Sequence, residues 1–164
     1  DRGQGRCAQS PSCSALPLSL RWGAGLDWPR SLGARGPGTA KMTSDSQQRY
    51  RVIERFNGFT LLEVRIGTGR THQIRVHLSS IGHPVAGDTH YGAPRRITLD
   101  DAPAPPLPRF WLHAACVRLA HPRTGRPLEI RAPLPRDLHD WLVALGAHFS
   151  IGASEIDRVL EGYL

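Results

Sequence analysis

A chain of 164 residues, 40% of them apolar, can bury one core and build one domain of ordinary size. Its 21 basic residues against 14 acidic ones leave a net charge of +7, almost all of the basic charge as arginine, since Lys41 is the single lysine. Cys7, Cys13 and Cys116 form no C-x-x-C pair, which excludes a zinc ribbon and a disulfide framework and makes a reducing cytoplasmic setting the expectation, and no apolar run approaches the ~18 residues that cross a membrane.

The charge is uneven. Residues 1–40 carry 5 − 2 = +3, residues 41–100 carry 9 − 5 = +4, and residues 101–164 carry 7 − 7 = 0. Such an excess fits a polyanionic partner or a solvated face, and arginine offers phosphates a planar, bidentate contact that lysine cannot.

In chain order, residues 1–40 mix Gly, Ser, Pro and Arg without period 2 or 3.6, so a poorly ordered or non-native extension is expected there. Two strand-like runs follow, Tyr50–Phe56 and Phe59–Ile66, separated by Asn57-Gly58, the dipeptide best suited to a tight hairpin turn. In the second run Thr60, Leu62, Val64 and Ile66 form the face expected to meet the core. After Gly67 the period changes. Ile74, Leu78 and Ile81 stand at i, i+4 and i+7, predicting a helix over 71–81 with Thr71 as N-cap and Gly82 just past its end. "HPVAGDTHYG" reads as a loop and "ITLDDAPAPPLPRF" as a Pro-rich connection. Strands are expected at Leu112–Leu119 and Pro127–Arg131, joined by the turn "HPRTGR". A helix with Leu138, Trp141, Leu142 and Leu145 on one face comes next, then a tail over 147–164 with a short last helix. Strands before and after a helix, joined by hairpins, give an α+β fold with a mixed, mostly antiparallel sheet and flanking helices.

The dense stretch is "GTGRTHQIRVHLSSIGHPVAGDTHYG", residues 67–92. Gly67 and Gly69 flank a strand-to-helix turn, where the unpaired N–H groups and dipole of a helix start attract an anion. Arg70 lies in that turn, and His72 and Arg75, three apart, share one helix face. The same residues also fit a glycine turn opening a helix whose charges are solvated. Sharper motifs fail on spacing: there is no G-x-x-x-x-G-K-[ST], no H-E-x-x-H and no G-x-S-x-G. His72 and His77, five apart, diverge on a helix, and His77 beside Leu78 reads as a satisfied core histidine rather than a metal ligand. No metal site is expected.

"TGRTHQIRVHL" (Thr68–Leu78) and "GHPVAGDTHYG" (Gly82–Gly92) resemble the signature of the RluA-type pseudouridine synthases, L-x-T-G-R-T-H-Q-I-R-V-H followed by G-x-P-I-x-G-D-x-x-Y-G. Downstream, Leu112–Ala114, His121–Gly125 and Ala132–Pro135 match that family's L-H-A, H-P-x-T-G and A-P-L-P blocks, and "AKMT" at 40–43 resembles its basic-Met segment. The resemblance covers residues 41–146 and implies the C-terminal part of the catalytic domain, with RNA across a central cleft and a flipped uridine in the pocket. It implies conversion of uridine to pseudouridine in ribosomal or transfer RNA, through attack by an Asp carboxylate. It further implies no cofactor, no metal, no membrane, a monomer and a cytoplasmic setting.

By position in the motif, Arg75 matches the basic residue that pairs with the nucleophilic Asp, which guanidinium contact would keep ionised and aimed. Lys41, Arg70, Thr71, His72 and Gln73 are the expected RNA contacts. Gly67, Gly69, Asp88, Tyr91 and His113 are expected to be structural, with Asp88 tying the 82–92 loop to a backbone N–H. The chain departs from the family pattern in having no H-R-L-D-x-x-T-S-G run and no K-x-Y segment, and Asp27, in "GLDWPRS", lacks the flanking residues. The expectation is a synthase fragment that lacks its nucleophile and is inactive alone. Two alternatives differ in class: a non-catalytic RNA-binding module, and a protein-interaction fragment that would show no salt-dependent RNA affinity.

Overall fold

Phe56 and Phe59 face each other across a two-residue turn in which Gly58 takes φ 75°, a backbone that costs glycine least. They end β2 (Gln48–Phe56) and open β3 (Phe59–Ile66), the hairpin expected from Asn57-Gly58. The computed structural model describes residues 12–20, 48–56, 58–67, 69–99 and 102–164. Lys41 and Asp27 lie outside them.

Five strands form one sheet in the order β2-β3-β1-β6-β7, where β1 is Ser12–Leu20, β6 is Leu112–Ala120 and β7 is Pro127–Arg131. Every pairing in it is antiparallel. At Ser12–Leu20 the chain forms a strand where a poorly ordered or non-native extension was expected; the rest of residues 1–40 lies outside the described residues. The strand lies between β3 and β6, with Leu16 and Leu18 fully buried. Its "SALPLSL" hides the period because β1 is covered on both faces: Ala15 packs on one side, Leu16 and Leu18 on the other. Pro17, which lacks an N–H, sits in this inner strand, while the neighbouring Leu18 N–H donates to Trp111 O at 3.0 Å.

The sheet divides two cores. On one face, Leu16, Leu18, Phe59 and Leu61 meet Trp111 and the helix α2 (Arg136–His148), through Leu138, Trp141, Leu142 and Leu145. On the other, Tyr50, Val52, Leu62 and Val64 meet Ile74 and Leu78 of α1 (Gln73–Ser80). β3 therefore buries both alternating sets, not only the Thr60/Leu62/Val64/Ile66 face. α1 is shorter than expected: Ile81 is its exposed C-cap, outside the buried stripe. Its end is a Schellman motif, with Gly82 N–H donating to Ser79 O and His83 N–H to Leu78 O, both at 2.9 Å, and Gly82 at φ 78°.

The Pro-rich connection folds back on itself. Thr98–Leu99 (β4) pairs with Ala102–Pro103 (β5), and Trp141 Nε1 donates to Pro105 O at 2.8 Å. Trp111 Nε1 donates to Leu138 O at 3.0 Å, so both indoles bury their rings without orphaning a donor. The last helix, α3 (Ala153–Val159), is part of the same core: Ile156 and Leu160 are fully buried, so residues 147–164 are not a separate tail. Burying each such side chain stabilises by roughly 1.5–3 kcal/mol. Among the described residues no helix is long and apolar enough to cross a membrane.

Candidate functional site

β3 ends at Ile66, and the chain turns through Gly67, Gly69 and Arg70 into α1. This places "GRTH" at one end of the sheet. Arg70, Thr71 and His72 are all exposed there. The turn closes differently from the expected Thr71 cap. His72 is the N-cap, at φ 53° and ψ 21°, and no side chain caps the helix by a hydrogen bond. A left-handed conformation at a histidine costs of order 1–2 kcal/mol. What supports it is local: His72 Nδ1 and the Tyr91 hydroxyl share a hydrogen bond at 2.8 Å, with the two rings edge to face.

Gln73 points inward. It is buried, and its Oε1 accepts from the Arg70 N–H at 3.2 Å while its own N–H donates to Arg70 O at 3.1 Å. The reciprocal pair holds the turn, so the Gln73 side chain is a bracing group and not the expected RNA contact. Gly69 has open space where a Cβ would go and no positive φ, so sterics alone do not require glycine there.

Arg75 and Asp88 are bonded to each other. Arg75 Nε donates to Asp88 Oδ2 at 2.7 Å and Nη2 to Oδ1 at 2.8 Å, a bidentate pair. The carboxylate is 1% exposed and the arginine side chain 13%. Two aromatic faces cover the guanidinium, Tyr91 at 4.7 Å and Phe110 at 4.4 Å from ring centre to Cζ. The hydrogen bonds to Asp88 raise the Arg75 pKa above its ordinary value, against the opposing effect of desolvation.

One expectation at this pair is thereby corrected. The Asp88 carboxylate is tied to a side chain and not to a backbone N–H, and among the described residues Asp88 is the acid that Arg75 meets. The physical reason is burial: a carboxylate removed from water needs a charged, hydrogen-bonded partner, and Arg75 lies in the first turn of α1 on the side facing the loop. The loop carries Asp88 into place through a 3₁₀ turn, Thr89–Tyr91, with the Tyr91 and Ala93 N–H groups both donating to Asp88 O.

Tyr91 therefore touches both His72 and Arg75. His77, on the inner side of α1, donates from Nδ1 to Gln48 Oε1 at 2.7 Å and is a satisfied histidine. His113 Nε2 donates to Ala132 O at 2.9 Å, joining β6 to the chain after β7. Phe110 was not singled out by sequence reasoning. The one signal available was a large aromatic pair, Phe110-Trp111, closing a Pro-rich run just before a strand. Among the described residues no three His, Cys, Asp or Glu side chains converge to hold a metal.

The family model for RNA pseudouridylate synthase matches residues 29–80, beginning upstream of the "AKMT" segment and including β2, β3 and α1. An uncharacterized RNA pseudouridine synthase of Chloroflexus aurantiacus is 50% identical over 93 residues, covering 57% of this chain and 27% of that protein. The ribosomal large subunit pseudouridine synthase D of Pasteurella multocida is 42% identical over 118 residues, covering 66% of this chain and 35% of its own length. The chain thus spans between about a quarter and a third of the length of these relatives. Among solved structures, human RNA pseudouridylate synthase domain containing 4 shares the fold, with a TM-score of 0.56 at 18% identity, over 84% of this chain and 63% of that one. Over the stretch that they share, the chain is similar to RNA pseudouridine synthases, a ribosomal large subunit enzyme among them, and the exposed GRTH turn lies in that stretch.

Proposed function

We propose that this chain is the part of an RNA pseudouridine synthase that carries the RNA-facing end of its catalytic sheet, acting in the cytoplasm on uridine in ribosomal or transfer RNA. The observation that carries the reading is the outward placement of Arg70, Thr71 and His72 on a turn braced from behind by Gln73 and by the Arg75–Asp88 pair. A guanidinium held on a rigid turn can bind a phosphate or face a carboxylate without first losing its own freedom. Arg75 is then a positioning residue, and Arg70 is the basic group directed outward at the reacting end.

The reaction proposed needs no metal or cofactor. A carboxylate attacks the sugar carbon as the glycosidic bond to nitrogen breaks, and the uracil turns. Its C5 bonds to that carbon and displaces the carboxylate, and the C5 proton then leaves. The attacking carboxylate belongs to an H-R-L-D run in the RluA-type family, and the present sequence contains none. A second reading, an RNA-binding unit without chemistry, rests on that one observation.

Tritium release from RNA labelled at uridine C5, at single turnover with protein in excess, separates the two. The expected result for this chain alone is RNA bound and no tritium released. Release would assign an acid of this chain to the chemistry, and neither binding nor release would overturn the RNA reading.

A further inference from the structure

Two hairpins on this sheet repeat one arrangement of charge. In β2–β3, Arg51 stands directly across from Glu63, and Arg65 follows two residues later on the same strand. In β6–β7, Arg118 stands across from Glu129, and Arg131 follows two residues later. The sequence shows it as Glu-Val-Arg and Glu-Ile-Arg. Each glutamate bridges its two arginines. Glu63 accepts at Oε2 from Arg51 Nε and at Oε1 from Arg65 Nε, both at 3.0 Å. Glu129 accepts from Arg118 Nε at Oε2 and from Arg131 Nε at Oε1, the latter at 2.6 Å.

Both triads share one face. Glu63 and Arg65 continue the alternation of Phe59 and Leu61, which pack toward α2. On β6 a register shift opposite Ser14/Ala15 brings Cys116 and Arg118 to that same side. Between the triads lies a groove of about 230 Å³ lined by Ser14, Cys116, Tyr163 and the four arginines. It is on the opposite side of the sheet from α1.

One carboxylate per two guanidiniums leaves charge over. The four lining arginines face Glu63, the bridging Glu129 and the lining Glu161, so 4 − 3 = +1. The arginine side chains of the two triads are 49–63% exposed, although Glu63 is only 7% exposed. The glutamates thus engage one edge of each guanidinium and aim it; Arg51 is also hydrogen-bonded to Tyr163, while Arg65, Arg118 and Arg131 stay more than half exposed. Aimed, solvent-facing guanidiniums bind phosphates bidentately. Tyr163, half-buried at one end of the groove, packs its ring against the α2-side core and hydrogen-bonds Arg51.

We propose that this groove is a second RNA-contact surface, which holds the phosphodiester backbone of a single strand between the Arg51–Glu63–Arg65 and Arg118–Glu129–Arg131 triads. The partner class rests on the RNA reading above. The surface itself rests on the two triads.

The test is fluorescence anisotropy of an end-labelled, 20-nucleotide single-stranded RNA titrated with the full chain across a KCl series. Compared are wild type, Arg118→Gln/Arg131→Gln, Glu129→Gln and Arg70→Ala. Removing two phosphate contacts lowers the magnitude of the slope of log K against log[KCl] by about 1.4, at roughly 0.7 per contact on a single strand. Glu129→Gln, which keeps both arginines and removes the carboxylate, raises affinity at low salt severalfold; this control answers any loss of fold in the double variant. An unchanged slope in Arg118→Gln/Arg131→Gln, or unchanged affinity in Glu129→Gln, overturns the groove. If the slope then still falls in Arg70→Ala, the reading of the α1 turn stands by itself. A fall in Arg118→Gln/Arg131→Gln with none in Arg70→Ala leaves the groove and removes that reading.

Discussion

Arg75 and Asp88, thirteen residues apart in sequence, are locked edge to edge at 2.7 and 2.8 Å between two aromatic rings. The pair joins the first turn of α1 to the 82–92 loop and so holds Tyr91 against His72. A site whose outward groups are polar and exposed is kept rigid by charge buried behind it.

Breaking that pair from one side leaves a buried charge without a partner, which in comparable cases costs about 3–5 kcal/mol. Asp88→Ala is therefore expected to lower the urea midpoint strongly. Arg75→Met/Asp88→Leu, which removes both charges and keeps volume, is expected to recover most of the loss. A cost below about 1 kcal/mol for Asp88→Ala would show the pair to be incidental.

Gly87 precedes Asp88 at φ 78°, and a Cβ there would come within 3.2 Å of Leu107 Cδ1 and 3.3 Å of both Arg109 O and Phe110 Cα. Two of those three neighbours are backbone. Gly87→Ala should cost about 1–3 kcal/mol through strain and crowding combined. It should also shift Phe110 off Arg75. Thermal melting measures the first effect, and a melting temperature equal to wild type would refute it.

Arg70→Ala removes an exposed guanidinium from the turn and leaves the Gln73 brace, which uses the Arg70 backbone. RNA affinity should fall, and the salt slope should fall by about 0.7, one single-strand phosphate contact. Folding stability should change by no more than about 0.5 kcal/mol, as for surface substitutions in general. Anisotropy in a KCl series with a parallel melt tests both parts, and loss of stability without loss of slope would make Arg70 structural.

His139 bridges α2 and α3, with Nε2 2.8 Å from Asp157 Oδ1 and Nδ1 3.3 Å from Asp140 Oδ1. The Asp157 hydrogen bond, foremost, raises its pKa above the ordinary histidine value. A raised folded pKa means that the native state binds the proton more tightly than the unfolded chain. The stabilisation is then complete below the unfolded value of about 6.5 and is lost as pH rises through the higher folded pKa. His139→Gln should flatten stability against pH across that window. A wild-type profile already flat there would sink the assignment.

Some of this was legible in the residues themselves. Local rules carried the β2–β3 hairpin, because Asn57-Gly58 between alternating apolar runs has one good backbone solution. They also carried the apolar face of α2 and the glycine end of α1. The GRTH turn was legible as a motif, since the residue types and their spacing lie within one short segment.

The rest depended on partners distant along the chain. Ser12–Leu20 shows no period in sequence because burial on both faces removes the alternation that marks a strand. Only its pairing with β3 and β6 reveals it. That Gln73 turns inward and Arg75 meets Asp88 follows from His72 taking a left-handed backbone and from the loop returning over α1, neither of which local propensity specifies. The two Arg–Glu–Arg triads each lie within one hairpin, and their opposed residues could be paired from sequence. That both face one groove was decided by the register shift where β6 meets β1, because a one-residue slip sends every following side chain to the other face of the sheet.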